Sequence, residues 1–416
     1  MQTSFFQPRF TAGRALLACT AGLVGFVCAT LSVSAHASAS DDQAQIKDIN
    51  DANNNFAFDF LGQGVKQGEN LIFSPYGVSE CFGMLYAGST GKTEKMLAEL
   101  FNFPLPPGET MVSFGKLREV LAPRQQVKGC KIKLGNSIWA SINNPFRVSY
   151  VELVKAFLGA DARTVDFTLT TEVTAEMDGW VEENTEGMIT KAPGNIEPQD
   201  LMVLMNTIML DAEWKSPFNS SATAGYPFEL AQGELVETPF MRQTSYYGYL
   251  KKDGVQVFEM PYAGNMASMT VIVPDEGRDI ADIEKMLSPE RIDSWHDAMK
   301  STRLSLSMPK FEFQASLDLI PIITEMSSAD LFANPQLGGM LENVSVMISE
   351  ALQDAVIKVD EKGTKAAAVT KIKGTRSAVN REEPTRLIVN RPFFFLVRDR
   401  EMGTIYFMGR VMDPRG

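Results

Sequence analysis

The peptide bond between Arg376 and Ser377 is the place in this sequence where a reaction is most readily foreseen. It lies in the stretch 374–384, which has four charged residues and no apolar periodicity, so we expect an exposed loop there. Trypsin-like proteases cut after arginine, because its guanidinium group pairs with the acidic group of their specificity pocket. The pattern therefore predicts a bond that a protease attacks.

The residues that lead into this loop, 361–374, have the alternation of a strand with one uncharged face. Successive side chains of a strand point to opposite sides. One side carries Thr364, Ala366, Ala368, Thr370, Ile372 and Gly374, whereas the other carries Lys365, Lys371 and Lys373. An uncharged face can be buried without leaving an unpaired charge, so the pattern predicts a strand that can enter a sheet.

A short helix capped by Thr364 is the alternative for the same segment. The three consecutive alanines 366–368 favour a helix, but the glycines and β-branched residues on both sides of them disfavour one. A helix would also scatter the lysines around its circumference. We therefore prefer the strand.

The rest of the chain has few residues that could catalyse a reaction. His296 is the only histidine after residue 37, and it lies in a predicted helix, where a packing role is far more common than catalysis. One histidine cannot build a Ser-His-Asp triad or a histidine-rich zinc site. No glycine-rich nucleotide-binding motif follows a predicted strand. We expect no enzymatic activity, no metal and no cofactor.

Residues 1–37 have the composition of a secretory signal peptide. Arg9 and Arg14 flank the start of an apolar run that extends to residue 33, and Ala35-His36-Ala37 is a small-residue cleavage site. The run is just long enough to span a membrane, so an anchor is the alternative, but its Ser, Thr, Gly and Cys content favours cleavage. We expect the mature protein, 38–416, to be secreted and extracellular, or periplasmic in a bacterium, with no membrane attachment.

The mature chain has the composition of one globular domain. The sequence has 416 residues, of which 44% are hydrophobic and 22% charged, with no repeat or flexible linker. Loss of the leader changes the formal charge from −12 to about −14, which argues against nucleic acids and anionic membranes as partners. Cys81 and Cys130 remain. We expect buried free thiols, with a single bridge between them as the alternative.

Apolar periodicity predicts helices in the first half of the chain and strands between and after them. The helices are Asp48–Gly62, Ser74–Leu85, Lys92–Leu100, Phe114–Leu121, Tyr150–Phe157 and Thr171–Thr185. The strands are Ile132–Ala140, Met202–Leu210, Gln256–Met260, Met269–Val273, Arg303–Met308, Ala355–Val359, Phe393–Val397 and Ile405–Val411. This order indicates an α+β fold with large antiparallel or mixed sheets.

Several separated motifs, taken in order, resemble those of the serpins over nearly the whole mature chain. They are Asn70-Leu-Ile-Phe-Ser-Pro75, Gly88-Ser-Thr-Gly-Lys-Thr93, Trp180-Val-Glu-Glu-Asn-Thr-Glu-Gly-Met-Ile189, Leu204-Met-Asn-Thr-Ile208, Trp214-Lys-Ser-Pro-Phe218, Pro239-Phe-Met241, Met260-Pro-Tyr262, Val273-Pro-Asp-Glu-Gly277, Met308-Pro-Lys-Phe311, Asn390-Arg-Pro-Phe-Phe394 and Phe407-Met-Gly-Arg410. Most are weak alone, but together they are specific. The resemblance implies the serpin fold, with a helical N-terminal half and an exposed reactive-centre loop.

The resemblance also implies that residues 361–386 are the hinge and reactive-centre loop of a suicide inhibitor of serine proteases. The hinge would consist of Glu361, Gly363, Thr364, Ala366, Ala367, Ala368 and Thr370. In such an inhibitor the protease acylates its own serine on the loop, and the cut hinge then enters the main sheet as a new strand. The chain would act as a monomer that forms one covalent complex and is consumed.

Two scissile bonds remain open under this resemblance. The usual family spacing from the hinge glutamate selects Ser377-Ala378, which would suit an elastase-like enzyme. A spacing one residue shorter selects Arg376-Ser377. We choose Arg376-Ser377, which predicts a trypsin-like target.

The resemblance further assigns Ser74, Asn206, Trp214 and Gln353 to the region where the main sheet opens. Gln353 stands where the family commonly has histidine, and Gly77 where it commonly has serine. Gln353 can exchange hydrogen bonds with Asn206 and Ser74, but it has no protonation step near neutral pH. We expect an altered opening network.

Other functions stay open at this point. A non-inhibitory serpin that serves as a carrier or chaperone would tolerate charged or bulky residues on the hinge face that is uncharged here. The target could also be an elastase-like or a cysteine protease, and a hydrolase with paired carboxylates is a remote third class. Six basic residues fall near where some serpins bind sulfated polysaccharides, although a solvated helix face is the preferred interpretation. They are Lys116, Arg118, Arg124, Lys128, Lys131 and Lys133.

Overall fold

The computed structural model describes residues 39–63, 68–327, 331–342, 346–364 and 383–416. These residues belong to one compact unit, Ala39–Gly416. The predictions for the leader and for positions 365–382 lie outside the described residues. Within the described ranges, no helix is both long and apolar enough to cross a bilayer.

Nine α-helices occur in the described part of the chain, most of them before residue 185. They are α1 Ala39–Gln63, α2 Pro75–Gly88, α3 Gly91–Leu100, α4 Pro107–Gln125, α5 Val148–Leu158, α6 Thr170–Asn184, α7 Ile280–Glu284, α8 Pro289–Ala298 and α9 Leu319–Ser327. Helix α2 begins where the sequence indicates, because Ser74 Oγ accepts a hydrogen bond from Gly77 N at 3.0 Å and Pro75 occupies the first turn.

Sixteen strands are described, and they form two sheets. The strands are β1 Leu71–Phe73, β2 Gln126–Val127, β3 Cys130–Ser141, β4 Asp161–Val165, β5 Met202–Glu213, β6 Ala224–Glu229, β7 Leu235–Lys252, β8 Val255–Pro261, β9 Ala267–Pro274, β10 Lys300–Pro309, β11 Phe311–Asp318, β12 Glu350–Val359, β13 Gly363–Thr364, β14 Thr385–Ile388, β15 Phe393–Asp399 and β16 Ile405–Val411.

The seven-stranded sheet contains Gly363 and Thr364, the described strand residues of the segment 361–374 for which a strand was predicted. Its order is β11-β12-β13-β5-β3-β2, and β4 pairs with β3. The nine-stranded sheet has the order β1-β16-β15-β9-β8-β7-β10-β14, and β6 pairs with β7. Both sheets are mixed, because β12 pairs with β5, β3 with β4 and β10 with β14 in parallel.

The two faces of the seven-stranded sheet pack against different hydrophobic clusters. The inner face belongs to the main core, which includes Ile208, Ala355 and Ile357 together with helices α1, α2 and α4. The outer face is covered by α6, whose Trp180 packs in a smaller cluster with Met205, Leu352 and neighbouring residues. Both faces of the sheet are therefore buried where α6 lies.

Each helix and strand predicted from periodicity is present. Several of them are longer than predicted, and some observed elements were not predicted. Helix α1 begins at Ala39 rather than Asp48, because its first turns carry polar residues that give no apolar period, with acidic groups Asp41 and Asp42 that suit a helix start. Strands β1, β2, β4, β6, β7, β11 and β14 were not predicted. In β11 the alternate residues Phe311, Phe313, Ala315 and Leu317 do give a period of two, so that strand could have been found.

The two cysteines and the histidine, which could in principle carry out chemistry, are buried or contact other side chains of the fold. Cys81 and Cys130 are both free and buried, and burial raises the pKa of the Cys130 thiol to about 12. His296 lies on α8 with Nε2 at 3.3 Å from Glu259 Oε1. No group of three or more metal-binding side chains occurs in the described part of the chain.

Candidate functional site

The candidate site is the junction between β12 and β5 in the seven-stranded sheet. The two strands pair in parallel, starting with Glu350 opposite Val203 and ending with Ala355 opposite Ile208. Their pairing stops there, although both strands continue. A parallel pair has no connecting hairpin, so only the ladder and the side chains hold these strands together.

Strand β13 fills the space between the two strands beyond that point. Gly363 pairs with Glu213, and Thr364 pairs with Ala212 on one side and Val359 on the other, all antiparallel. Gly363 and Thr364, the first two residues of the predicted insertion strand (the hinge arm, 363–376), therefore already lie between β12 and β5.

Local packing explains the residue types of β13. A Cβ on Gly363 would lie 1.9 Å from the carbonyl oxygen of Ala212, so only glycine fits. Thr364 is fully buried, and its Oγ1 lies 2.8 Å from Tyr262 Oη. The ring of Tyr262 stacks on Trp214 with centroids 4.7 Å apart. Trp214 therefore packs against Tyr262, the residue that contacts Thr364 of β13.

The turn before β13 is fixed by its backbone and by Trp214. Trp214 N donates to Lys362 O at 2.7 Å, and Trp214 Nε1 donates to Asp360 O at 2.9 Å. Asp360 Oδ1 accepts from Lys362 N at 2.8 Å. The chain therefore leaves β12 through a tight turn that points β13 back along the sheet.

Glu361 anchors the outside of this turn. Its carboxylate accepts hydrogen bonds from Thr223 Oγ1 at 2.6 Å and from Lys310 Nζ at 2.9 Å, and Phe218 N donates to its carbonyl oxygen at 2.7 Å. Burial by itself would raise the pKa of Glu361, but the bonds from Thr223 and Lys310 hold it below its ordinary value. Glu361 is therefore ionised and held at neutral pH.

A buried hydrogen-bond network joins β12 to β5 where they are still paired. Gln353 is fully buried, and its Nε2 donates to Asn206 Oδ1 at 2.6 Å and to Ser74 O at 3.0 Å. Its Oε1 accepts from Ser74 N at 2.8 Å. One amide side chain thus connects β12 with β5 and with the start of α2.

The network continues from Asn206 to a buried ion pair. Asn206 Nδ2 donates to Asn136 Oδ1 at 2.7 Å, and Asn136 Nδ2 donates to Glu80 Oε2 at 2.9 Å. Arg118 Nη1 on α4 also donates to Glu80 Oε2, at 2.8 Å. Burial raises the pKa of Glu80, and the Arg118 guanidinium partly offsets this effect. The chain of polar groups reaches from the strand junction to α4.

Gly77 leaves room for this network. A Cβ at this position would lie 2.5 Å from Asn206 Oδ1, the atom that receives the Gln353 hydrogen bond. A serine here would displace the Asn206 amide, which is held on its other side by Asn136. The two departures from the family pattern, Gln353 and Gly77, therefore fit each other.

Comparisons with known proteins agree with this architecture. The family model described as Serpin (serine protease inhibitor) matches residues 51–414. An uncharacterized serpin-like protein of Thermococcus kodakarensis is 31% identical over 377 residues, which cover 90% of this chain and 87% of the relative. Antithrombin-III of Mus musculus is 30% identical over 387 residues, which cover 89% of this chain and 82% of the relative.

The chain belongs to the serpin family. A solved structure, human thyroxine-binding globulin complexed with thyroxine, matches with a TM-score of 0.80 at 24% identity, over 89% of this chain and 100% of the other. The predicted family and the α+β fold are both confirmed.

The structure of this serpin brings most of the described site residues together. Ser74, Asn206 and Gln353 form one buried group, whereas Trp214 lies with Glu361, Gly363 and Thr364 around β13. The remaining hinge residues, Ala366, Ala367, Ala368 and Thr370, and the bond Arg376-Ser377 lie outside the described residues.

Glu80, Asn136 and Asp354 also lie at this site, but they were not among the site residues predicted from the sequence. Glu80 had a signal, because it is a carboxylate inside an otherwise apolar helix. Asn136 and Asp354 had none, since a polar residue in a strand is ordinary until its neighbours are known.

Most of the basic residues near α4 are engaged rather than free. Lys116, Arg118, Arg124 and Lys131 form salt bridges with acidic side chains, and Lys133 Nζ donates to Glu183 O. Arg118 in particular points into the core toward Glu80. The contacts of Lys131 and Lys133 lie at the surface, as expected for a solvated face, whereas Arg118 is turned inward.

Replacing Gln353 with alanine tests the strand junction. The change removes three buried hydrogen bonds and leaves Ser74 N and Asn206 Oδ1 without this partner, so we expect a loss of about 2–4 kcal/mol in the free energy of unfolding. Guanidinium unfolding at equilibrium measures it, with the exposed Gln199→Ala as control. Equal midpoints for both variants would show that the network does not hold the strands.

Asp354 on β12 gives the serpin a pH-dependent stability. Burial raises the pKa of this side chain to about 6, against opposing hydrogen bonds from Ser316 and Gln314. Because the folded pKa is above the ordinary value of about 3.9, the ionised group destabilises the native state, and stability rises as pH falls from about 6 to 4.

We therefore expect Asp354→Asn to stabilise the intact protein by about 2–3 kcal/mol at pH 8 and to have no effect below pH 4. The measurement is the difference in unfolding free energy between variant and wild type across this range, in which other titrating groups cancel. A variant that is less stable than wild type at pH 8 would contradict the assignment.

Proposed function

We propose that this serpin is a secreted inhibitor of trypsin-like serine proteases that traps its target covalently and is consumed in doing so. The observation that carries the proposal is the position of β13, which begins the hinge arm between β12 and β5. The same strands remain paired further on, so the rest of the arm has a defined place to enter.

The strand register supports insertion without any sliding of β12 against β5. If the register of β13 is continued, position 370 falls opposite both Gln353 and Asn206, which are themselves directly paired now. In the same way position 368 falls opposite Ala355 and Ile208, which are also a present pair. The strands need only separate to admit the arm.

The uncharged face of the arm matches the inner face of the sheet. Positions 366 and 368 would meet the apolar core at Ile357, Ala355 and Ile208, where alanine adds no charge and little volume. Position 370 would meet Gln353 and Asn206, and the threonine there offers a hydroxyl to these amides. Insertion would therefore exchange the Gln353 to Asn206 hydrogen bond for bonds to the new strand.

The length of the arm supports trapping. About fourteen residues from position 363 to 376, at roughly 3.3 Å each, span some 45 Å, which is enough to carry an attached protease across a small domain. The choice of a trypsin-like target rests on Arg376, and the proposal of secretion rests on the leader of residues 1–37.

Incubation with trypsin tests the function. We expect a complex that survives denaturing electrophoresis and a released C-terminal peptide that begins at Ser377. Arg376→Leu should abolish inhibition of trypsin and permit inhibition of a chymotrypsin-like enzyme, because the guanidinium is lost.

Clean cleavage of the wild type with no complex would contradict the proposal and favour a non-inhibitory role, such as the carrying of a ligand. A peptide that begins at Ala378 would instead assign the bond to Ser377-Ala378 and an elastase-like target.

A matched pair of loop variants tests the insertion step. Ala368→Arg would place a charge against the apolar core, whereas Lys365→Arg keeps a charge on the opposite side of the strand, at a position that would fall opposite the partly exposed Lys358. We expect the first variant to be cleaved as a substrate, so that the number of inhibitor molecules consumed per trapped protease rises at least tenfold. The second variant should trap the protease more efficiently than the first. Equal behaviour of the two would remove the support for in-register insertion.

A further inference from the structure

One face of the nine-stranded sheet is basic, although the chain as a whole carries a formal charge of −12. It is formed by alternate residues of β7, β10 and β14, because the residues between them, such as Leu304, Leu306 and Leu387, belong to the main core. Three of its eight positions are arginines and none is acidic. The positions of this basic face are Arg242, Thr244, Tyr246, Arg303, Ser305, Ser307, Arg386 and Ile388.

Strand pairing brings the three arginines together. Arg386 on β14 is opposite Ser305 of β10, so it is a diagonal neighbour of Arg303. Arg242 on β7 is opposite Ser307, on the other side of β10. The spacing of strands and of residues along them places the three Cα atoms within about 15 Å of one another.

The guanidinium groups are placed to meet an anion. Arg386 is exposed to solvent. Arg242 lies over the ring of Tyr226, 5.8 Å from its centroid, and this contact positions the guanidinium group without supplying a negative charge. Like charges on neighbouring strands weaken a sheet. The isolated protein therefore gains no stability from the cluster, whereas an acidic partner would.

The residue types of the basic face are those of a protein interface. Tyr246 is 64% exposed although its side chain is large and partly apolar, and it lies opposite Arg303. Tyrosine and arginine are enriched at protein interfaces, whereas lysine is depleted. A guanidinium group also pairs with a carboxylate through two parallel hydrogen bonds.

The basic face lies close along the chain to the proposed scissile bond. Strand β14 begins at Thr385, eight residues after Ser377. Eight residues span at most about 29 Å, and a protease domain of about 220 residues is roughly 40 Å across. A protease that holds the bond Arg376-Ser377 is therefore large enough to contact this face.

We propose that the basic face is a second contact for the target protease and selects proteases that carry acidic side chains beside their active-site cleft. The proposal rests on the inhibitory function proposed above. Complementary charge raises the association rate and improves the discrimination among partners. The loop would thus determine which bond is cut, and the basic face would determine which trypsin-like enzymes are inhibited fastest.

The test measures the second-order rate constant of inhibition for two trypsins that share the specificity for arginine, one anionic and one cationic. In the triple variant Arg242→Ser, Arg303→Ser, Arg386→Ser, inhibition of the anionic trypsin should be about tenfold slower at low ionic strength. Inhibition of the cationic trypsin should not be slower. Added salt should reduce the difference, because it screens exposed charges.

A charge-matched control separates the basic face from net charge. The triple variant Lys92→Ser, Lys95→Ser, Lys155→Ser removes the same formal charge from exposed positions on α3 and α5. It should slow inhibition of the anionic trypsin by less than about twofold. Arg386→Ser alone changes one exposed side chain and should slow it by about twofold to threefold, so the test holds even if the triple arginine variant is less stable.

Three results would contradict the proposal. Equal effects of the arginine and lysine variants, in a protein that traps both trypsins, would overturn the second contact and leave the inhibitory function intact. A loss that appears only when heparin is added would overturn it and assign the face to a sulfated polysaccharide. A wild type that traps neither trypsin would overturn the inhibitory function and the second contact together.

Discussion

The structure depends on one buried polar contact, the hydrogen bond between Gln353 and Asn206 across β12 and β5. Around it, the parallel ladder holds the strands together, and beyond it β13 already holds them apart. Hydrogen bonds connect this contact to α2 through Ser74 and to α4 through Asn136, Glu80 and Arg118. A polar contact can exchange its hydrogen-bond partners for those of a new strand, whereas a purely apolar contact could not do so with the same specificity.

Several polar groups on the outer face of this junction are unfavourably placed in the native state. Burial raises the pKa of Asp354, Glu350 lies among other carboxylates, and Thr207 Oγ1 has no hydrogen-bond partner among the described residues. Each is a small fraction of the stability of a large domain, and the proposed inhibition requires the intact form to be higher in free energy than the inserted form. The turn at Asp360 and the contacts of Glu361 hold the turn that leads into Gly363 and Thr364 at this junction.

Local patterns in the sequence predicted the family and the fold class, because sequence motifs and apolar periodicity are properties of neighbouring residues. Those local patterns give no sign of α6, which covers the outer face of the seven-stranded sheet and lies more than a hundred residues earlier in the chain than β12. The pairing of Arg118 with Glu80 and the burial of Asp354 likewise follow from tertiary packing, for which the sequence alone has no local signal.

The most direct test of the central claim is a crystal structure of the protein cleaved in its loop. The register of β13 predicts a new strand between β12 and β5, with residue 370 opposite both Gln353 and Asn206. A cleaved protein in which Glu350–Ala355 still pair with residues 203–208 of β5 would contradict it.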